Sequence, residues 1–176
     1  MLAYSAVDAD ACAGDLAKVW KTIWAFLESS HAATRKAAAE SLGLLAQCFP
    51  PALVKAAIDE SKPKEADPKT VLGVIIAQIT KSLDALAFAR SMPELLAVIS
   101  SLLMHLRYAP DPTKHTSTEA AEALLLPLVR RVGDLRTQKG FEYKEAADAC
   151  LAVAMSTLGP QVLLNVLPLN LEPADR

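Results

Sequence analysis

TRKAAAESLGLLAQCFPP, residues 34–51, returns in outline as YKEAADACLAVAMSTLGP, residues 143–160. When Arg35 is set against Lys144, a cation, a pair of alanines, a leucine seven residues on and a final proline all coincide. Apolar residues at every third or fourth position, ended by a proline, indicate a helix that packs on one side. Repetition of such a unit predicts an all-α fold, a right-handed superhelical solenoid of helix pairs.

The composition agrees with this fold and narrows the class of protein. The chain has 176 residues, only 5% are aromatic, and glycine is scarce, which is typical of packed helices. A net charge of −2 argues against a protein that grips nucleic acid over its whole surface. The three cysteines, at positions 12, 48 and 150, are far apart and odd in number, which favours buried, reduced thiols.

The spacing of apolar residues also places the individual helices. Two clear helix pairs are predicted at about residues 15–49 and 119–158. Between them, single helices are predicted at about 52–60, 70–90 and 93–107, and the spacing leaves their pairing open. No apolar run reaches the ~18 residues that a membrane span needs, so no membrane is expected as a partner.

Polar residues predict where several helices begin. Asp15 is a candidate cap for the first helix, and Ser91 with Glu94 has the spacing of a capping box. Thr116 with Glu119 has the same spacing before a later helix. These residues satisfy backbone N–H groups that have no partner in the first helical turn.

Four residues carry further local predictions. Leu86 is expected to continue the buried face of the 70–90 helix, and Pro127 is expected to kink its helix without breaking it. Trp20 and Trp24 lie four residues apart, which favours core packing between paired helices over an exposed anchor for a partner.

No residues are spaced for catalysis or for binding a metal or cofactor. His31, His105 and His115 have no cysteine or carboxylate at the spacing of metal ligands. The chain contains no G-x-S-x-G, G-x-G-x-x-G or G-x-x-x-x-G-K sequence, so a nucleophile turn and a phosphate loop are both missing. The sequence therefore predicts a protein that is not an enzyme and carries no cofactor.

Surface cations are the remaining candidates for function, because phosphate or an acidic partner could bind them. A solvated face, with cations near helix C-termini, is the alternative interpretation. The candidates form a cluster late in the chain and a second group on the first helix pair: Arg130, Arg131, Arg136 and Lys139, and Lys18, Lys21, Arg35 and Lys36.

Two segments have the pattern of a known helical repeat. TRKAAAESLGLLA resembles the second helix of a HEAT repeat, and ALLLPLVRRV, residues 123–132, resembles the first helix of one. LGPQVLLNVLPLNLEP, residues 158–173, is similar to a segment of the ribosomal-RNA-processing protein twelve family. The pattern of residues 79–103 also resembles that family. These are large nuclear HEAT-repeat proteins of small-subunit ribosome assembly.

The resemblance implies a fragment of a longer, non-catalytic scaffold in the nucleus and nucleolus. Its implied partners are pre-ribosomal particle proteins, pre-ribosomal RNA and nuclear transport factors. A HEAT-repeat adaptor for nuclear transport or kinase regulation would share every helical feature. If the chain is part of the ribosome-assembly scaffold, charge reversal of Arg130, Arg131, Arg136 and Lys139 should weaken association with pre-ribosomal particles. The melting temperature of this variant should be almost unchanged.

Overall fold

The computed structural model describes residues 8–61, 68–106 and 119–167, and within these ranges the chain is helical with no strand. Short 3-10 turns cover Ala25–Glu28, Ala46–Cys48 and Leu86–Ser91. The α-helices are α1 (Ala9–Trp24), α2 (Ala32–Leu45), α3 (Pro51–Ser61), α4 (Val71–Leu83), α5 (Met92–His105), α6 (Glu119–Thr137), α7 (Lys144–Leu158) and α8 (Pro160–Val166).

The helices stack in the manner of a solenoid. Helix α5 packs against both α2 and α7, so these three helices form a continuous row. Helix α1 packs on α2, α6 packs on α7, and α3 packs on both α4 and α6. The pairing that the sequence left open is thereby clear, because the 3-10 turn Leu86–Ser91 leads from α4 directly into α5 and contacts both. The predicted all-α solenoid is confirmed.

Aromatic side chains fill the core of the first pair. Trp20 and Trp24 are buried and stack with their ring centroids 6.2 Å apart. Phe49 lies against the first indole and Phe88 against the second, at centroid distances of 6.2 and 5.8 Å. Since the two tryptophans expose 1% and 4% of their surface, the interpretation as core residues is correct and an exposed anchor is ruled out.

The predicted caps of the first helix and of α5 are wrong. Helix α1 begins at Ala9, and its cap is Asp8, whose Oδ1 accepts a hydrogen bond from the Ala11 N–H at 2.9 Å. Asp15 lies inside this helix. Ser91 makes no side-chain capping bond, because its hydroxyl donates instead to the buried carbonyl oxygen of Leu27. The capping box proposed for Thr116 lies outside the described residues.

A carboxylate from another helix supports the beginning of α4. Thr70 caps this helix by accepting from the Gly73 N–H at 3.1 Å. Glu60, at the end of α3, accepts from the Thr70 hydroxyl at 2.6 Å and from the Lys69 N–H at 2.6 Å. The bond from Thr70, followed by that from the Lys69 backbone, lowers the pKa of Glu60 below its ordinary value. Helices α3 and α4 are therefore joined by polar contacts as well as by packing.

The predicted 70–90 helix is two elements. Helix α4 ends at Leu83, Ala85 is extended, and the chain then forms a 3-10 turn. Leu86 consequently leaves the buried face and is 93% exposed, which contradicts its predicted place in the core. Pro127 lies inside α6, which continues through it as one helix, as expected.

The two echoed helices, α2 and α7, do not bury equivalent leucines equally. Leu42 is fully buried, whereas Leu151, the matching residue, is half-buried and lines a surface groove. On either side of Leu151 the buried residues of α7 are Cys150, one residue before it, and Ala154, three after it. Helix α2 packs against α1 and α5, whereas α7 packs against α5, α6 and the short α8. The same pattern of residues therefore faces different neighbours.

One stretch has the length and composition of a membrane span. Leu86–His105 covers 20 residues, so the statement that no apolar run reaches this length is wrong. Ala32–Cys48 and Pro51–Ser61 reach a comparable length and composition only together, and a 92° bend separates them. Half of the apolar part of Leu86–His105 is buried, and α5 is the central helix of the stack. Its apolar character is that of a core helix.

Candidate partner-binding surface

Arg131 does not belong to a free cationic patch. Its Nε lies 3.1 Å from Asp84 Oδ1, and its Nη2 bonds to the same oxygen. Asp84 is the C-cap residue of α4, directly after Leu83, so this ion pair joins α6 to the end of α4.

Arg136 joins the two helices of the last pair. Its Nε and Nη2 bond to the two carboxylate oxygens of Asp148 on α7, at 2.7 and 3.3 Å. Two parallel bonds between a guanidinium and a carboxylate form the strongest geometry for such a pair. The hydrogen bond and the opposite charge raise the pKa of Arg136, and the bond from Arg136 lowers the pKa of Asp148.

Two cations of the first pair are also engaged. Arg35 exposes only 11% of its side chain and lies 3.3 Å from Glu94 Oε1 on α5. Its Nη1 donates to the carbonyl oxygens of Ser29 and Ser30, so it connects the turn after α1 with the centre of the stack. Lys18 is exposed and lies 3.6 Å from Asp15 on its own helix, a geometry in which ion pairs contribute little to stability.

The predicted cluster of four cations is therefore not assembled as a binding patch. Arg131 and Arg136 hold helices together, and reversing their charges would place carboxylates against Asp84 and Asp148. From these ion pairs we expect the variant to melt at a lower temperature, contrary to the expectation from the sequence alone. The candidates that are exposed and form no ion pair within the described ranges are Lys21, Lys36, Arg130 and Lys139.

A large concavity lies at the last helices, and we call it the C-terminal groove. It has a volume of about 820 Å³ and is walled by α6, α7 and α8. Arg130 and Asp134 lie on α6, and the Arg136–Asp148 pair also belongs to its lining. The apolar lining consists of Leu151, Met155, Leu163, Leu164, Val166 and Leu167.

Two smaller concavities contain the remaining exposed lysines. Lys36 lines a groove of about 480 Å³ between α2 and α5, where half of the other lining side chains are alanines. The two helices approach closely in this region, since a Cβ at Gly43 would lie 2.7 Å from Ser101 Oγ. Lys139 lines a pocket of about 430 Å³ between the Leu86–Ser91 turn and the end of α6. The structure thus separates the cations that the sequence suggested as one patch.

Sequence reasoning missed the apolar part of this surface. Met155 and Leu164 are 40% and 37% exposed in the C-terminal groove. Charged and catalytic residue types were the candidates for function, whereas apolar residues at helical spacing were assigned to the core. One signal was available, because Leu163, Leu164, Val166 and Leu167 all belong to the LGPQVLLNVLPLNLEP motif.

The described parts of the chain contain neither a group of metal-ligating side chains nor a disulfide. Over residues 8–61, 68–106 and 119–167, no group of three or more His, Cys, Asp and Glu side chains could hold a metal ion. All three cysteines are buried and none forms a disulfide. Burial raises the pKa of Cys150, which opposes formation of a thiolate at that position.

Comparison with known proteins gives the family. The family model described as Ribosomal RNA-processing protein 12, HEAT repeats, matches residues 28–176. A candidate ribosomal RNA-processing protein 12 of Schizosaccharomyces pombe is 31% identical over 106 residues, which cover 60% of this chain and 8% of that protein. No solved structure matches significantly. Since the family model covers helices α2 to α8, the chain belongs to the HEAT-repeat family of ribosomal RNA-processing protein 12.

Proposed function

We propose that this chain is part of a non-catalytic scaffold in ribosome biogenesis, which supports pre-ribosomal RNA processing and small-subunit assembly or export. The observation that carries the proposal is the family match over residues 28–176, which coincides with the stacked helices. The proposed location is the nucleus and nucleolus, where pre-ribosomal RNA is processed. A stack of helices offers extended surface for binding and has no need of a catalytic centre.

The proposed scaffold is longer than this chain. The chain spans 8% of the length of the related Schizosaccharomyces pombe protein, so the activity of a whole protein cannot reside here alone. In repeat proteins each unit contacts mainly its neighbours, and further helix pairs extend the same rows without altering the fold. We therefore propose that α1 to α8 form one segment of a longer HEAT solenoid.

We propose that this segment binds mainly proteins of the pre-ribosomal particle, with a smaller contribution from RNA. Arg35, Arg131 and Arg136 are occupied by carboxylates, and a phosphate would have to compete with these for the guanidinium groups. The grooves, in contrast, offer partly exposed apolar side chains, which suit protein partners. Contact with RNA is assigned to the exposed cations Lys21, Lys36, Arg130 and Lys139.

Affinity purification of the tagged full-length parent protein tests the function. We expect pre-ribosomal RNA and small-subunit assembly proteins to be recovered with it. Recovery of nuclear transport factors or kinase subunits alone, without pre-ribosomal RNA, would overturn the proposal and favour the HEAT-repeat adaptor.

Charge reversal tests the assignment of RNA contact. In the full-length protein, replacing the four exposed cations by glutamate should reduce ultraviolet cross-linking of RNA to this segment and leave protein recovery largely unchanged. Each lost phosphate contact should also lower the dependence of RNA binding on salt by about one unit of log–log slope. A control with the same change in net charge replaces four other exposed cations, at Lys55, Lys69, Lys81 and Arg90. Equal loss of RNA in both variants would contradict the assignment.

A further inference from the structure

A pocket opens where the end of α6 meets the 3-10 turn between α4 and α5. It has a volume of about 430 Å³, within the range of about 300–1,000 Å³ that is usual for small-ligand sites. Residues 83–92 form one side and residues 131–141 the other, so the whole lining belongs to the described part of the chain. Its apolar lining includes Leu83, Leu86, Ala89, Met92, Leu135 and Phe141.

A tight turn after α6 supplies polar and aromatic groups to this pocket. The Phe141 N–H donates to the Gln138 carbonyl oxygen at 3.2 Å, which closes the turn. Gly140 has a φ of 85°, a left-handed conformation that favours glycine. The half-buried Phe141 ring meets the Tyr143 ring edge-on, with the centroids 6.1 Å apart. The turn thereby brings an amide, an ammonium group and an aromatic ring, those of Gln138, Lys139 and Phe141, to one pocket.

The opposite side of the pocket presents Leu86 to solvent. This side chain is 93% exposed, although it lines the same pocket as the Phe141 ring. A flat apolar group that enters the pocket would therefore contact Leu86 on one side and Phe141 on the other. Removal of this apolar surface from water would favour binding.

The charge of the pocket favours an anionic ligand. Its ionic lining residues are Asp84, Arg131 and Lys139, which sum to +1, and the first two form an ion pair with each other. Lys139 is exposed and forms no ion pair among the residues that the structure describes. Its ammonium group is therefore available to an anion. A nucleotide combines a flat base with a negative phosphate, and both parts match this lining.

We propose that this pocket binds one unpaired nucleotide of single-stranded RNA, with the base between Leu86 and Phe141 and the phosphate at Lys139. The amide of Gln138 offers a donor and an acceptor to the edge of the base. A nucleotide within a duplex is excluded, because its base is already stacked and paired. The proposal rests on the proposed function and deepens it, since it gives the RNA contact assigned to Lys139 a site for the base.

Binding of a fluorescent oligouridylate of about ten nucleotides to the 176-residue protein, followed by anisotropy, tests the proposal. Phe141→Leu should weaken binding about fivefold or more, because the aromatic stacking partner is lost. Lys139→Gln should weaken binding and lower its log–log dependence on salt by about 0.7, as expected for one lost phosphate contact on a single strand. Unchanged binding in both variants would overturn the proposal.

Two matched controls make the same substitutions outside the pocket. Phe26→Leu changes a 52% exposed ring in the 3-10 turn Ala25–Glu28, and Lys81→Gln changes an exposed cation on α4. Neither residue lines the pocket, so both variants should bind the oligouridylate as the unsubstituted protein does. Losses in the controls that equal those at Phe141 and Lys139 would refute a localised site.

A second measurement needs no variant. Ring currents of a bound base should shift the nuclear magnetic resonances of the Leu86 and Ala89 methyl groups, whereas those of Leu44, exposed on α2, should stay in place. An RNA duplex of the same length should produce no such shifts. Absence of shifts with the oligouridylate, or equal shifts with the duplex, would contradict the proposal.

These measurements contain no pre-ribosomal particle, so their failure would leave the proposed role in ribosome biogenesis intact. In the full-length protein, Phe141→Leu should reduce ultraviolet cross-linking of RNA to this segment and leave the recovery of assembly proteins unchanged. Loss of assembly proteins with unchanged cross-linking would assign the pocket to a protein partner and overturn the proposal.

Discussion

Leu42→Ala is expected to destabilise the protein much more than Leu151→Ala, although the two leucines occupy the same place in the echoed helices. Leu42 has no exposed surface, and it lies in α2, which packs against α1 and α5. Truncation removes three carbon groups, worth about 2–2.5 kcal/mol at about 0.8 kcal/mol each. A cavity in rigid surroundings adds to this loss, so we expect a decrease in the free energy of unfolding of about 3–4 kcal/mol.

Leu151 should behave differently because it is half-buried in the lining of the C-terminal groove. Truncation there transfers less apolar surface to water, and the open groove leaves no closed cavity. We expect a loss of about 1 kcal/mol at this position. Leu44→Ala is the control within α2, since Leu44 is 55% exposed and leucine and alanine have similar helix propensities. Its effect should stay within about 0.5 kcal/mol.

Urea denaturation followed by circular dichroism at 222 nm measures all three variants. The urea dependence of the unfolding free energy must be unchanged in each variant, because a changed slope would indicate a different unfolding unit in a repeat protein. A loss at Leu42 below about 1 kcal/mol, or one no larger than the loss at Leu44, would refute the packing described here. A loss at Leu151 equal to that at Leu42 would refute the inequality between the echoed helices.

Two further predictions concern polar contacts between helices. Because the bond from Thr70 lowers the pKa of Glu60, this carboxylate stabilises the fold above its unfolded pKa, and the contribution is lost as the pH falls through its folded pKa. Glu60→Gln should therefore reduce the decline of the urea midpoint at acid pH more than Glu122→Gln, the same change at another exposed position. An unchanged acid profile in the Glu60 variant would contradict its support of the Thr70 cap. Arg136→Glu should lower the melting temperature by opposing Asp148, and adding Asp148→Arg should restore part of the loss at low salt but less at high salt. Failure of the double variant to recover any stability would show that the pair does not hold α6 on α7.

Sequence reasoning succeeded where the information was local. Apolar residues at spacings of three and four determine which face of a helix is buried, and this spacing can be read without knowing the neighbours. It correctly assigned Trp20 and Trp24 to the core. The end of α4 at Leu83 was missed because neither proline nor glycine follows it. The helical spacing of apolar residues continues to Leu86, although the helix itself ends at Leu83.

The ion pairs of Arg131 and Arg136 could not be predicted because the carboxylates that they bind are distant in the sequence. Arg131 and Asp84 are separated by 47 positions, so only the stacking of α6 beside the end of α4 brings them together. Arg136 and Asp148 are separated by 12 positions and meet only because the turn between α6 and α7 reverses the chain. A cluster of cations in sequence is therefore a poor guide to a cluster of free charge on a helical stack.

The ion pairs also explain how a chain with 18 basic residues presents so little free positive charge where its helices meet. Arg35–Glu94, Arg131–Asp84 and Arg136–Asp148 each join different helices, so each fixes the position of one helix relative to another. To bind a phosphate, a guanidinium held in this way must give up part of its interaction with the carboxylate. The protein partners that we propose would meet mainly grooves lined by apolar and small residues at these joints. Such a surface favours recognition by shape over attraction by charge.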